Sequence, residues 1–112
     1  MTFDDWLEQR MDEIDSKAKQ FAKAKSEKEH LDEFKKSKLA ILMKKYEAKG
    51  FSSAAAQERE ARADDDYIEL LEGLKAATEA SEQARWELEL IKIRFEAWRT
   101  NQANQRAERN RY

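Results

Sequence analysis

YEAKGFSS, residues 46–53, contains one of only two glycines in a chain of 112 residues that has no proline. A helix commonly stops with glycine at the first position past its cap, because glycine enters the left-handed region without a steric cost. With Gly50 in that place, Lys49 is the cap and Tyr46 lies three positions inside the helix end. Phe51 follows the glycine, and such an ending favours an apolar contact between those two positions. Ser52 or Ser53 can then cap the next helix, AAAQEREAR. The stretch therefore predicts a stop, a turn and a new start.

Upstream, Thr2 and Asp5 have capping-box spacing, with Phe3, Trp6 and Leu7 following. Nothing breaks a helix from 2 to about 49. Its apolar seam reads Leu7, Met11, Ile14, Ala18 and Phe21, fades through AKSEKEH, and returns at Leu31, Phe34, Leu39, Leu42 and Tyr46. Downstream, a turn at 50–52 leads to a short helix over about 53–62. Asp64, Asp65 and Asp66 then suit a helix amino end. A second long helix runs from about 65 to 108, overlapping a basic carboxyl-terminal tail at 106–112. It keeps a heptad with Leu70, Ala77, Ala84, Ile91 and Trp98 at one position and Leu74, Ser81, Leu88 and Phe95 at the other. Small residues in the middle admit close helix approach. Gly73 beside the seam is either a close-contact position or a tolerated glycine. Two long helices of about 45 residues, each roughly 70 Å at 1.5 Å per residue, joined by a short one, predict a single all-α domain built as a long antiparallel hairpin.

Composition supports this. Val is absent, helix formers dominate, and charged residues make up 41% of the chain. Five Phe, three Trp and three Tyr argue against disorder. The absence of cysteine excludes a disulfide framework and a thiolate metal site and fits a reducing compartment. The amino end is acidic and lacks a signal-peptide core. The longest apolar run, Leu39 to Met43, falls far short of the roughly 20 residues that span a bilayer. The expectation is a soluble cytoplasmic protein with no membrane partner.

A lone hairpin needs one apolar stripe per helix, yet residues 84–98 carry two. Ala84, Leu88, Ile91, Phe95 and Trp98 form one; Trp86, Leu90, Ile93 and Ala97 form another, roughly 150° away. The run Leu39–Met43, with Ile41, is apolar all round. The middle helix has only alanines with which to shield anything. Self-association through Trp86, Leu90, Ile93, Ala97 and Ile41, with a dimeric four-helix bundle favoured over a packed three-helix monomer, is the expectation.

No catalytic constellation, phosphate loop or zinc spacing appears, which points away from an enzyme and from any cofactor. Glu27 and His30 have the Glu-x-x-His spacing of di-iron bundles, but His30 is the only histidine and its surroundings look solvated. Charge is uneven: residues 57–83 hold nine acids and three bases, residues 84–112 seven bases and four acids. Arg99, Arg106, Arg109 and Arg111, with Lys17, Lys25 and Lys28 facing them in a hairpin, form a candidate nucleic-acid contact. The competing view is a solvated face with arginines suited to a helix carboxyl end.

The segment FEAWRTNQANQRAER resembles the carboxyl end of small helical proteins encoded by tailed phages and prophages. Trp98, Arg99, Thr100, Ala103, Asn104 and Arg106 are the matching positions, and Tyr67, Leu71, Gly73, Leu74 and Ala77 sit in a similar order upstream. The resemblance implies a phage setting, in a host cytoplasm, with no assigned activity and with some members among replication and recombination genes. Three functions fit: a non-enzymatic accessory protein binding protein or nucleic acid, an inhibitor of a host defence protein, and a structural coiled-coil or scaffold component.

Overall fold

The computed structural model describes residues 2–111. The chain is all-α, a helical hairpin of two long helices joined by a short one: α1 (Phe3–Ala48), α2 (Ala54–Ala63) and α3 (Asp65–Arg111). The helix ends follow the local chemistry. At the start of α1, Thr2 Oγ1 accepts from the Asp5 backbone N–H at 3.2 Å, and the Asp5 carboxylate accepts from the Thr2 backbone N–H at 3.2 Å. The Thr2 hydroxyl also donates to Asp5, and these bonds hold the Asp5 carboxyl below its ordinary range. At the other end Gly50 has φ +105°, Phe51 N–H donates to the Tyr46 carbonyl at 3.1 Å, and Gly50 N–H donates to the Glu47 carbonyl at 3.0 Å. This is the Schellman pair of bonds. The Tyr46 and Phe51 rings meet edge-on with centroids 5.8 Å apart. Of the two serines, Ser53 caps α2, its Oγ accepting from Ala56 N–H at 3.1 Å. The tail expected from 106 is helical through Arg111, while Tyr112 lies outside the described residues.

The packing groups into two compact units, one comprising α1 up to Ala22 with α3 from Glu82, the other Lys23–Ser81. In the second unit α1 and α3 run antiparallel: Lys38 reaches Asp66 at 4.0 Å, and Lys45, further along α1, reaches Asp64 at 3.0 Å. Its core is Leu42, Ala61 and Tyr67, with Leu39, Met43 and Tyr46 packed against it. Ala61 on α2 is wholly buried. This corrects the expectation that an alanine helix shields little. Ala61 of α2 and Tyr67 of α3 together give Leu39, Leu42 and Met43 of the apolar run at 39–43 a core to pack in.

Asp64 is the polar centre of this turn. It ends α2 and starts α3, with Asp66 N–H donating to its Oδ1 at 2.9 Å and Tyr67 N–H to its carbonyl at 3.1 Å. The Tyr46 hydroxyl and the Lys45 ammonium both donate to its Oδ2, at 2.7 and 3.0 Å. Bonds from Tyr46, the Asp66 amide and Lys45 hold its carboxyl down at about 2. The same contact raises both the Lys45 ammonium and the Tyr46 phenol. The helix-start role expected for the three acids is what Asp64 performs, and the tertiary bonds add to it.

The seam of α3 follows the heptad: Ala84 and Ser81 are buried, and Leu70, Leu74, Ala77, Leu88, Ile91, Phe95 and Trp98 are half-buried. The seam of α1 holds at Leu7, Ile14, Ala18, Phe21, Leu31, Leu39, Leu42 and Tyr46 and departs from expectation at two positions. Met11 and Phe34 are exposed, while Arg10, Lys17, Lys28, Lys35 and Lys38 are half-buried. Methylene stems let long basic side chains cover apolar surface, so residues that read as polar in the sequence are partly covered here. Gly73 is exposed, and a Cβ added to it would meet nothing within 4 Å. It is a tolerated glycine, with no close-contact role.

Candidate association surface

The first unit is built from the opening turns of α1 and the closing turns of α3. Trp6 packs against Trp98 with ring centroids 4.0 Å apart and planes tilted by 34°, and Lys17, further along α1, pairs with Glu87, earlier on α3, at 3.0 Å. The helices are therefore antiparallel here too. Phe3 and Phe95 complete an aromatic cluster around Trp98, at 5.6 and 6.1 Å. Lys17 and Gln83 both donate to the Glu87 carboxylate and hold it below its ordinary range. With both partners about one-third exposed, that ion pair fixes register more than it adds stability.

With this side of α3 turned to α1, its opposite side is open. Trp86 is 62%, Ile93 59% and Leu90 46% exposed, and Ala97 is exposed beside them. These residues follow one another at intervals of four, three and four, so they form a continuous stripe on the outer face of the helix. A row of ion pairs runs along one edge: Glu82 with Arg85 at 2.8 Å, Glu89 with Lys92 at 3.6 Å, Glu96 with Arg99 at 3.1 Å. Arg85 also sits 5.3 Å over the Trp86 ring. Scattered exposed apolar residues are ordinary, but a continuous stripe rimmed by charge is the pattern of an association site.

Ile41 is 55% exposed on α1 in the other unit. Of the residues expected to touch nucleic acid, Arg106, Arg109 and Arg111 are exposed and have no carboxylate within ion-pair distance among the described residues. Arg99 is paired with Glu96, Lys17 with Glu87 and Lys25 with Glu29, while Lys28 is half-buried. His30 stacks on Phe34 with centroids 6.2 Å apart, and the described residues hold no cluster of three or more metal-ligating side chains. No helix among them is long and apolar enough to cross a membrane.

The sequence did not signal a cleft of about 140 Å³ lined by Trp6, Arg10, Glu13, Ile91, Arg94 and Phe95. Arg10 lies 5.6 Å over the Trp6 ring and 3.5 Å from Glu13, and its Nε is buried without a hydrogen bond. The four-residue spacing of Trp6 and Arg10 was the available signal. Comparison with known proteins finds no matching family, no curated relative and no similar solved structure.

Proposed function

We propose that this chain is a non-catalytic accessory protein that works by association, presenting the outer face of α3 to another helix and forming a homodimer. One observation carries the proposal: Trp86, Leu90 and Ile93 stand exposed on a helix whose other side is already packed against α1. Burying a stripe of this kind stabilises by about 25 cal/mol for each Å² of apolar surface removed from water, and a second copy is the partner always at hand. Nucleic-acid contact has weaker support, because Arg99, Lys17 and Lys25 are already paired within the chain. The phage or prophage setting, drawn from the likeness at 98–106, belongs to the same proposal, with replication or recombination as its field. Inhibition of a host defence protein and a scaffold role are the alternatives.

Sedimentation equilibrium at micromolar chain concentration tests the association. The expected mass is at least twice the 13.2 kDa of the chain. A fully helical monomer under those conditions refutes the proposal.

A further inference from the structure

The outer stripe of α3 has an internal symmetry. Trp86, Leu90, Ile93 and Ala97 are spaced identically when read in either direction, about a point between Ile91 and Lys92. A copy of α3 laid antiparallel across that point sets Trp86 against Ala97 of the second copy, and Leu90 against its Ile93. The largest side chain then meets the smallest twice, and two aliphatic residues of equal size meet in the middle. We infer that the second copy docks antiparallel through this stripe, on a twofold axis passing between Ile91 and Lys92, with each Trp86 seated over the other copy's Ala97. The inference rests on the self-association proposed above and specifies its geometry.

Charge is compatible with the same arrangement. Glu87 and Arg94 stand seven residues apart on one flank of the stripe, and Arg94 has no carboxylate within ion-pair distance among the described residues. The antiparallel twofold brings each Arg94 beside Glu87 of the other copy, giving two opposite-charge contacts. Glu87 already accepts from Lys17 and Gln83, and its carboxylate retains capacity for a further donor. On the other flank Glu89 approaches Glu96 of the second copy. Each of these acids has a base of its own chain within 3.6 Å, Lys92 and Arg99 respectively, so their repulsion is muted. A parallel pairing would stack Trp86 on Trp86 and leave a gap at Ala97. It would also turn the flank of Glu87 and Arg94 toward the opposite flank of the second copy, placing Glu87 beside Glu89 and Arg94 beside Glu96. The unequal packing acts against it, while its charge contacts offset one another. The antiparallel pairing is also isologous and closed, so association stops at two copies.

A size swap tests the register. Trp86→Ala alone leaves a gap opposite Ala97, and Ala97→Trp alone forces two indoles together, so each should weaken dimerisation about tenfold or more. The double variant Trp86→Ala/Ala97→Trp restores a large-to-small contact at both ends. It should return to within about threefold of the unmodified protein, because the two positions are coupled only across the interface. Both sites are exposed in the single chain, so helix content by circular dichroism should not change. Dissociation constants come from sedimentation equilibrium. If the unmodified protein dimerises but the double variant binds no better than the weaker single variant, the register is wrong while self-association stands. If the unmodified protein is a monomer, both fail.

Discussion

Leu42 and Ile41 are neighbours on α1 with opposite surroundings, and replacing each by alanine measures how the helix is rotated. Leu42 is 2% exposed, and Ile41 is 55% exposed. A buried Leu→Ala change costs roughly 2–5 kcal/mol, depending on how far the site collapses. Leu42 touches a thin core of Ala61 and Tyr67, ringed by half-buried Leu39, Met43 and Tyr46. Flexible neighbours at the edge of the core can move into the gap, which places the cost at about 2–3 kcal/mol. Ile41 has less than half of its surface out of water. Its truncation loses about 1 kcal/mol of burial at most and recovers about 0.4 kcal/mol because alanine is the better helix former. The net expectation for Ile41→Ala is a change of about 0.5 kcal/mol or less. Urea unfolding followed by circular dichroism at several chain concentrations provides the measurement. A cost below about 1 kcal/mol for Leu42→Ala, or equal costs for the two, would refute the placement of α2 and the rotation of α1. A cost for Ile41→Ala that grows with chain concentration would show that Ile41 also contributes to self-association.

Two further outcomes are expected at the turn. Gly50→Ala should cost about 1 kcal/mol, because φ is +105° and the new Cβ meets no neighbour, so the penalty is in the backbone alone. Gly50→Asn should cost less, and a neutral alanine would mean that α1 does not end there. Asp64 titrates at about 2 in the folded chain against an ordinary 3.8. Because the folded value is the lower one, its contribution is present in full above the ordinary value. It disappears as pH falls from about 4 to about 2. The difference in thermal midpoint between the protein and Asp64→Asn, which keeps the capping oxygen, should therefore shrink across that window. A constant difference would show that the carboxylate charge has no part in holding the turn.

The fold was legible in the sequence wherever its determinants are local. Thr2 with Asp5, Gly50 with Tyr46 and Phe51, and Ser53 each bond within a few residues, so spacing alone reveals them. The α3 seam was legible because its heptad stays apolar or small from Leu70 to Trp98. Most of the α1 seam was legible too, but not at Met11 and Phe34, which stand exposed while Arg10, Lys17, Lys28 and Lys35 are half-buried. A residue's type records its charged tip, whereas its place in a seam depends on its methylenes. Asp64 was readable as a helix start but not as the acceptor for Tyr46 and Lys45. Those partners lie eighteen and nineteen residues away, and no periodicity encodes the separation.

The two apolar surpluses show where sequence pattern stops. The run at 39–43 and the stripe at 86–97 both present apolar residues away from a simple two-helix seam, and the sequence treats them alike. In the fold they differ. Leu39, Leu42 and Met43 pack in one cluster with Ala61 of α2 and Tyr67 of α3, leaving only Ile41 exposed among the large residues of that run. Trp86, Leu90 and Ile93 remain exposed. Hydrophobic periodicity reports that a face needs cover, and only packing tells whether the chain supplies it. The first run is therefore part of the fold of a single chain. The second is left uncovered by its own chain, which is why the proposed association is placed there, and its palindromic spacing is why a second copy of the same helix is the proposed partner.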